Sequence, residues 1–167
     1  MANSLSNYRV IRVTPTLDTS AYSTGDVLFN SVEIPEAVLG NAGCSKLLNM
    51  YVVNQNVDTI DVNFFFSENS MTIGTINATA DISDANIEAG NILGSMKLDA
   101  DQSVTGGFDN ARVSMVFGGG GASESTNPLL LQAAAGSTSV YVAGIITDGT
   151  PTFAADDIDL VLHIQYK

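Results

Sequence analysis

The sequence predicts an all-β protein: an antiparallel β-sandwich, jelly-roll-like, with one short inserted helix and an extended N-terminal arm. Three observations support this prediction. About eight segments alternate apolar and polar residues with a period of two, as half-buried strands do. Polar turns separate these segments, and a single stretch has the pattern of a helix. The chain of 167 residues, 45% of them hydrophobic, is long enough to bury a substantial core.

The N-terminal arm is predicted to cover residues 1–25, and a single β-sandwich domain residues 26–167. Pro15 cannot lie in a central strand, because proline lacks the backbone N–H that the ladder needs. An extended arm can contact a partner, and the candidate contact residues are Tyr8, Arg9, Val10, Ile11, Arg12 and Val13. The alternative is an edge strand of the same domain. A separate arm predicts that a chain beginning near Gly25 still folds but no longer associates.

The first strands of the domain are predicted at Val27–Ile34 and within Cys44–Phe66. The latter stretch indicates two long strands around a polar kink at residues 54–58, and an antiparallel hairpin is the expected pairing. Met71–Ile76 is a candidate for a further short strand. Ser83 is a candidate N-cap and Asp84 suits the first turn, so we expect one helix over residues 84–92, ending near Gly94.

The later strands are predicted at four places, Ser95–Leu98, Ala111–Phe117, Ser139–Thr147 and Ile158–Tyr166. In the last of them, every second residue from Ile158 to Tyr166 is apolar, so these side chains should share a buried face. Pro128–Ala135 is an apolar run that does not alternate, which predicts burial on both sides. The glycine-rich stretch Gly118–Gly121 lacks a following Lys-Ser/Thr and indicates a loop, not a phosphate cradle.

Charge is the unusual feature of the composition. The chain has 18 acidic and 6 basic residues, for a net charge of −12. Such a charge disfavours nucleic acid and anionic membranes as partners. It favours solubility, with cation binding or a salty environment as the alternatives. We expect a soluble protein made in a reducing cytoplasm, because a signal peptide is not evident and Cys44 has no partner cysteine.

No catalytic signature is evident, so we expect neither an enzyme nor a cofactor. The single histidine, His163, is predicted on the outer face of the last strand, and Cys44 is predicted as a small core residue. Acidic pairs at Asp99 and Asp101, and the cluster of Asp148, Asp156, Asp157 and Asp159, were considered as calcium ligands. They lack the spacing of a calcium loop, so solvated turns without a metal are the prediction.

Three stretches carry a resemblance: RVIRVTPTLDTSAYSTGDVLFNSVEIP, CSKLLNMYVVNQN and ISDANIEAGNILG. They resemble small proteins encoded beside structural genes of marine tailed bacteriophages, and the overall character is similar to that of capsid decoration, or cement, proteins. The resemblance implies a non-enzymatic virion protein on the outer capsid surface that stabilises the head. It implies the major capsid protein as partner and a homo-oligomer, a trimer over local three-fold positions. No family-defined site residues carry over.

Two other classes of function are alternatives to a capsid decoration protein. A receptor- or glycan-binding head domain of a phage fibre or tail protein is the alternative, although no repetitive shaft precedes the domain and the chain has no tryptophan. A small β-sandwich hydrolase is the third, and it requires convergent polar residues that the sequence does not display.

Overall fold

The computed structural model describes residues 7–99, 103–104, 111–118 and 128–167. Within these residues the chain forms ten strands and one helix. They are β1 (Tyr8–Val13), β2 (Val27–Ile34), β3 (Cys44–Asn54), β4 (Asp61–Ser67), α1 (Asp84–Gly90), β5 (Ile92–Leu98), β6 (Ser103–Val104), β7 (Arg112–Gly118), β8 (Leu129–Gln132), β9 (Val140–Asp148) and β10 (Ile158–Tyr166).

The strands form two antiparallel sheets that pack as a sandwich. The first sheet runs β1-β10-β3, with β7 and β8 both pairing along the far side of β3 and β6 pairing with β7. The second sheet runs β2-β9-β4-β5. The end of β7 also pairs with β5, so it joins the two sheets at one side.

The order of pairing is that of a jelly roll. Four strand pairs are nested, as in one long hairpin that is folded over. The innermost pair is β4–β5, followed outward by β3–β8, β2–β9 and β1–β10. The pairs β3–β10 and β4–β9 then join its strands into two sheets. The predicted all-β sandwich class is therefore confirmed.

The core lies between the two sheets, and the period-two pattern explains which residues enter it. In β10, the five alternate residues from Ile158 to Tyr166 are all buried, as predicted. In β4, Val62, Phe64 and Phe66 are fully buried and face the core from the opposite sheet. Each sheet thus contributes one apolar face, which is how a sandwich buries its surface.

The expected hairpin of Cys44–Phe66 is wrong. β3 lies in the first sheet and β4 in the second, so the polar residues between them cross from one sheet to the other. Asn54 helps to shape this crossing: its side chain accepts a hydrogen bond from the Asn56 N–H and donates one to the Asp58 carbonyl. Each strand buries one apolar face, and two sheets that face each other satisfy both strands at once.

The helix forms where it was predicted. Ser83 is its N-cap, and the Ser83 hydroxyl accepts a hydrogen bond from the Asn86 N–H at 3.2 Å. Asp84 lies in the first turn, and the helix ends at Gly90 with Asn91 in the left-handed conformation at φ 51°. The end therefore comes before the predicted residue 92.

Several local predictions are corrected by the structure. Met71–Ile76 forms no strand. Ile76 makes an isolated bridge to Val27 at the start of β2, and Thr79 makes one to Asp26 just before β2. The run around β8 is not buried on both sides, since Leu131 is fully buried but Leu130 is 64% exposed. Cys44 is exposed, not a core residue. The glycine-rich residues 119–121 and Asp101 lie outside the described residues.

The described part of the N-terminal segment packs on its own domain. β1 pairs with β10 over six residues, and Ile11, Val13, Leu17 and Tyr22 are all buried in the main core. The hydroxyl of Tyr22 accepts a hydrogen bond from the Asp18 N–H at 2.7 Å and donates one to the Leu28 carbonyl at 3.2 Å. Of the two alternatives left open by the sequence, the structure shows the edge strand, so residues 8–25 belong to the sandwich.

Candidate partner-binding surface

Four of the six predicted contact residues are exposed to a partner, and two are buried. Along β1, Tyr8, Val10 and Arg12 lie on the outer face of the first sheet and are exposed. Ile11 and Val13 point the other way and are core residues. A partner can therefore reach the outward-facing side chains and the backbone of β1, but not the buried pair.

The two arginines of β1 have partners within their own chain. Arg9 forms an ion pair with Glu36, and the hydrogen bond with Tyr166, followed by that with Glu36, raises the pKa of Arg9. Arg12 contacts the Asp159 carboxylate at 2.9 Å. Their expected pairing with a neighbouring subunit stays a prediction, and these exposed intrachain pairs would have to be exchanged for it.

The outward edge of β1 has no strand beside it in the described sheet, where β1 is the terminal strand. The Tyr166 N–H donates to the Asn7 carbonyl at 2.8 Å, which marks the position where opposite residues exchange hydrogen bonds. In an antiparallel ladder, opposite residues that exchange two hydrogen bonds alternate with opposite residues that exchange none. Val10 lies opposite His163 and Arg12 lies opposite Val161, and by this alternation both belong to the pairs that exchange none. The N–H and C=O groups of Val10 and Arg12 therefore point away from β10.

The opposite end of the sandwich differs, because the edge of β2 is covered. The Asn30 side chain donates to the Gly74 carbonyl and accepts from the Ile73 N–H, both at 2.9 Å. Ser31 likewise accepts from the Met71 N–H. Segment 71–82 also buries Ala143 on the outer face of the second sheet. One sheet is thus covered on its outside by its own chain, whereas the outer face of the first sheet exposes large apolar side chains.

A row of side chains crosses the outer face of the first sheet. The register places Tyr8 opposite Gln165, Gln165 opposite Lys46, and Lys46 opposite Leu130. The exposed fractions are 60% for Tyr8 and 64% for Leu130. The row therefore has an exposed apolar group at each end and a cation between them.

A groove of about 480 Å³ lies at the same end of the first sheet. It is lined by residues 44–46 of β3, residues 130–132 of β8 and residues 165–167 at the end of β10. The lining contains two lysines, Lys46 and Lys167, and no carboxylate side chain. We call this feature the lysine groove.

Among the described residues, the candidate catalytic and metal-binding side chains do not come together into a site. Cys44 and His163 both lie on the first sheet, but His163 pairs with Asn49, five residues along β3 from Cys44. The ring of His163 contacts that of Tyr51, with centroids 5.3 Å apart. Across the described ranges, no group of three or more His, Cys, Asp or Glu side chains is arranged to hold a metal ion.

The acidic turn near the end of the chain is engaged in internal hydrogen bonds. The Asp157 carboxylate accepts from the Ala154 N–H at 2.6 Å, and the Asp159 carboxylate binds Arg12 and Thr14. Asp148 accepts from the Gly149 N–H at 2.9 Å. These contacts give the carboxylates structural roles in closing turns and in holding β1 to β10.

Comparison with family models and with curated proteins yields no relative. No family model matches the chain, and no curated protein matches it either. In the part of the chain that the structure describes, no helix has the length and apolar character needed to cross a membrane.

Proposed function

We propose that this protein is a non-enzymatic structural protein of a tailed-phage virion, a capsid decoration protein that binds the outer capsid surface and stabilises the head. The observation that carries the proposal is the outward edge of β1 on a jelly-roll sandwich. Jelly rolls recur in viral capsid proteins, although a fold alone does not define a function. The sequence resemblance supports the same class of function.

The edge of β1 suits strand addition by an extended segment of a partner. Backbone groups of Val10 and Arg12 point outward, and an added strand gains affinity from such main-chain hydrogen bonds. Val10 is 62% exposed beside them, which provides an apolar contact. Monomeric proteins usually protect long edge strands, so an edge left available next to exposed apolar side chains favours a partner.

The proposed assembly consists of copies of this chain, a trimer, on the major capsid protein. A net charge of −12 keeps free copies apart in solution. Association then depends on several weak contacts made at once on the capsid lattice, where each added contact is effectively intramolecular. The edge of β1 is the contact that we assign to the capsid protein.

Co-sedimentation tests this proposal. Purified protein is mixed with tailed-phage heads prepared without their decoration protein, and we expect it to sediment with them at a saturating, fixed ratio. Val10→Pro removes the outward N–H but leaves the β1–β10 ladder intact, so this variant should fold and fail to sediment. Val10→Ala keeps the N–H and should retain most of the binding.

Two outcomes contradict the proposal. If the wild-type protein stays in the supernatant with every head preparation, the capsid assignment fails. If Val10→Pro sediments like the wild type, the assignment of the β1 edge fails. Binding to host cells or to glycans instead of heads would favour the fibre-head alternative.

A further inference from the structure

The lysine groove combines a local positive charge with apolar surface, on a protein that is otherwise strongly acidic. Of the six basic residues, Arg9, Arg12 and Lys97 form ion pairs with carboxylates. Arg112 donates two hydrogen bonds to the Val57 carbonyl. Lys46 and Lys167 form no ion pair with any residue in the described part of the chain, and both line the groove. Two of the three cations that have no carboxylate partner in the described part of the chain are thus gathered at one place.

The apolar part of the groove lies on β8. Leu130 is 64% exposed, and Leu131 beside it is fully buried beneath the groove. An isolated exposed leucine is ordinary on a protein surface, but here it adjoins a concave surface of about 480 Å³. The groove therefore offers an apolar contact within reach of two cations.

The polar groups of the lining indicate which kind of occupant fits. The Ser45 hydroxyl donates to the Ala37 carbonyl, the Tyr166 hydroxyl donates to the Glu36 carbonyl, and the Gln165 amide donates to the Tyr8 hydroxyl. These groups are engaged inside the protein, whereas a small-molecule site needs several convergent polar groups to orient its ligand. The remaining contacts are two flexible ammonium groups, a leucine, the exposed amide of Gln132 and the Cys44 thiol, and they suit an extended chain segment.

We infer that the lysine groove binds an extended segment of a partner protein in which acidic and apolar side chains take turns at every second residue, so that both kinds face the groove. Carboxylates of the segment pair with Lys46 and Lys167, and an apolar side chain between them covers Leu130. The net charge of −12 repels such a segment at long range. At physiological ionic strength the Debye length is about 8 Å, so the nearby lysines dominate over distant carboxylates. This binding does not depend on the proposed capsid role.

Cys44 makes the test local, because the single cysteine of the chain is exposed and lies in the groove. The rate of its alkylation by uncharged N-ethylmaleimide is followed by mass spectrometry in about 0.15 M salt. The probe, called the Glu–Leu peptide, is a capped ten-residue peptide in which Glu and Leu take turns at every second residue, with Ser at the residues between them. We expect this peptide to slow the alkylation about fivefold at saturation, and a Glu–Ser peptide, in which Ser replaces each Leu, to slow it less than twofold.

Charge-reversed variants supply the matched comparison. The double variant Lys46→Glu, Lys167→Glu should raise the concentration of Glu–Leu peptide that gives half-maximal protection about tenfold or more, since attraction becomes repulsion at both sites. Lys97→Glu makes the same kind of charge change on the other sheet and should leave the peptide affinity within twofold. The milder pair Lys46→Gln and Lys167→Gln should weaken it about threefold, and it guards against misfolding of the reversed pair.

Three results would overturn the inference. The first is alkylation of Cys44 at an unchanged rate with the Glu–Leu peptide. The second is equal loss of protection in Lys97→Glu. The third is protection by inorganic phosphate at about 10 mM that equals protection by the peptide, which would identify a site for small anions instead. A failure to bind phage heads would leave all three measurements unaffected, so the two proposals fail separately.

Discussion

Tyr22 is the residue that most sharply tests whether the N-terminal segment belongs to the fold. Its ring is 1% exposed and packs edge-on against Phe153, with centroids 5.8 Å apart. Its hydroxyl satisfies the Asp18 N–H and the Leu28 carbonyl, and burial is the main cause that raises the pKa of Tyr22. If residues 1–25 were a detachable arm, replacing Tyr22 would leave the stability of the domain unchanged.

The structure gives the opposite expectation, with a magnitude for each part of the side chain. Tyr22→Phe leaves one buried and one partly buried backbone group without their partner, at a cost of about 1–3 kcal/mol in the free energy of unfolding. Tyr22→Ala also creates a cavity beside Phe153, and a large aromatic-to-alanine change in a core costs about 3–5 kcal/mol. For a chain of this size each kcal/mol lowers the melting temperature by about 2–4 °C. Tyr22→Ala should therefore melt about 6–20 °C below the wild type.

Thermal melts followed by circular dichroism, supported by urea titrations, measure these changes. Val10→Ala is the control, because Val10 lies in the same segment but is 62% exposed and should change stability by about 1 kcal/mol at most. A Tyr22→Ala protein that melts with the wild type would refute the reasoning. By the same argument, a chain that begins at Gly25 should unfold instead of remaining a folded domain, because it loses four buried core side chains.

Three further variants test separate parts of the structure. The Asp18 carboxylate accepts hydrogen bonds from the Ser20 N–H and from Asn77, and these bonds, that of Ser20 first, lower the pKa of Asp18. The stability that Asp18 adds to the fold is therefore present above its pKa in the unfolded chain, and it is lost as the pH falls through its pKa in the folded protein. The stability difference between wild type and Asp18→Asn should thus shrink in acid, and a constant difference across pH titrations would contradict this. Ser83→Ala removes the helix cap and should cost about 1 kcal/mol in urea titrations. Gly149→Ala would place a Cβ 2.6 Å from the Thr59 carbonyl oxygen at φ +97°, so it should destabilise by about 1–3 kcal/mol, and an unchanged melt would show that the turn relaxes freely.

The sequence determined the class of fold and most of the strands. An apolar pattern of period two gives a strand one face for water and one for a core, and this does not depend on which strands become its neighbours. For this reason the strands Val27–Ile34 and Ile158–Tyr166 were predicted with the boundaries that the structure shows. The helix start followed from Ser83 and Asp84 for the same reason: a cap acts on its own turn. These are local effects, and local sequence carries them.

The tertiary structure alone decided which strands pair and what the N-terminal segment does. The turn at residues 54–58 is compatible with a hairpin or with a crossing between sheets, and only the apolar faces of β9 and β10 select the crossing. The apolar residues of the N-terminal segment are widely spaced in the sequence, yet they enter one core because β10 lies beside β1. They are Ile11, Val13, Leu17 and Tyr22. The lysine groove has the same origin. Lys46, Leu130 and Lys167 are far apart in sequence, and it is the pairing of β3 with β8 and β10 that brings them to one surface.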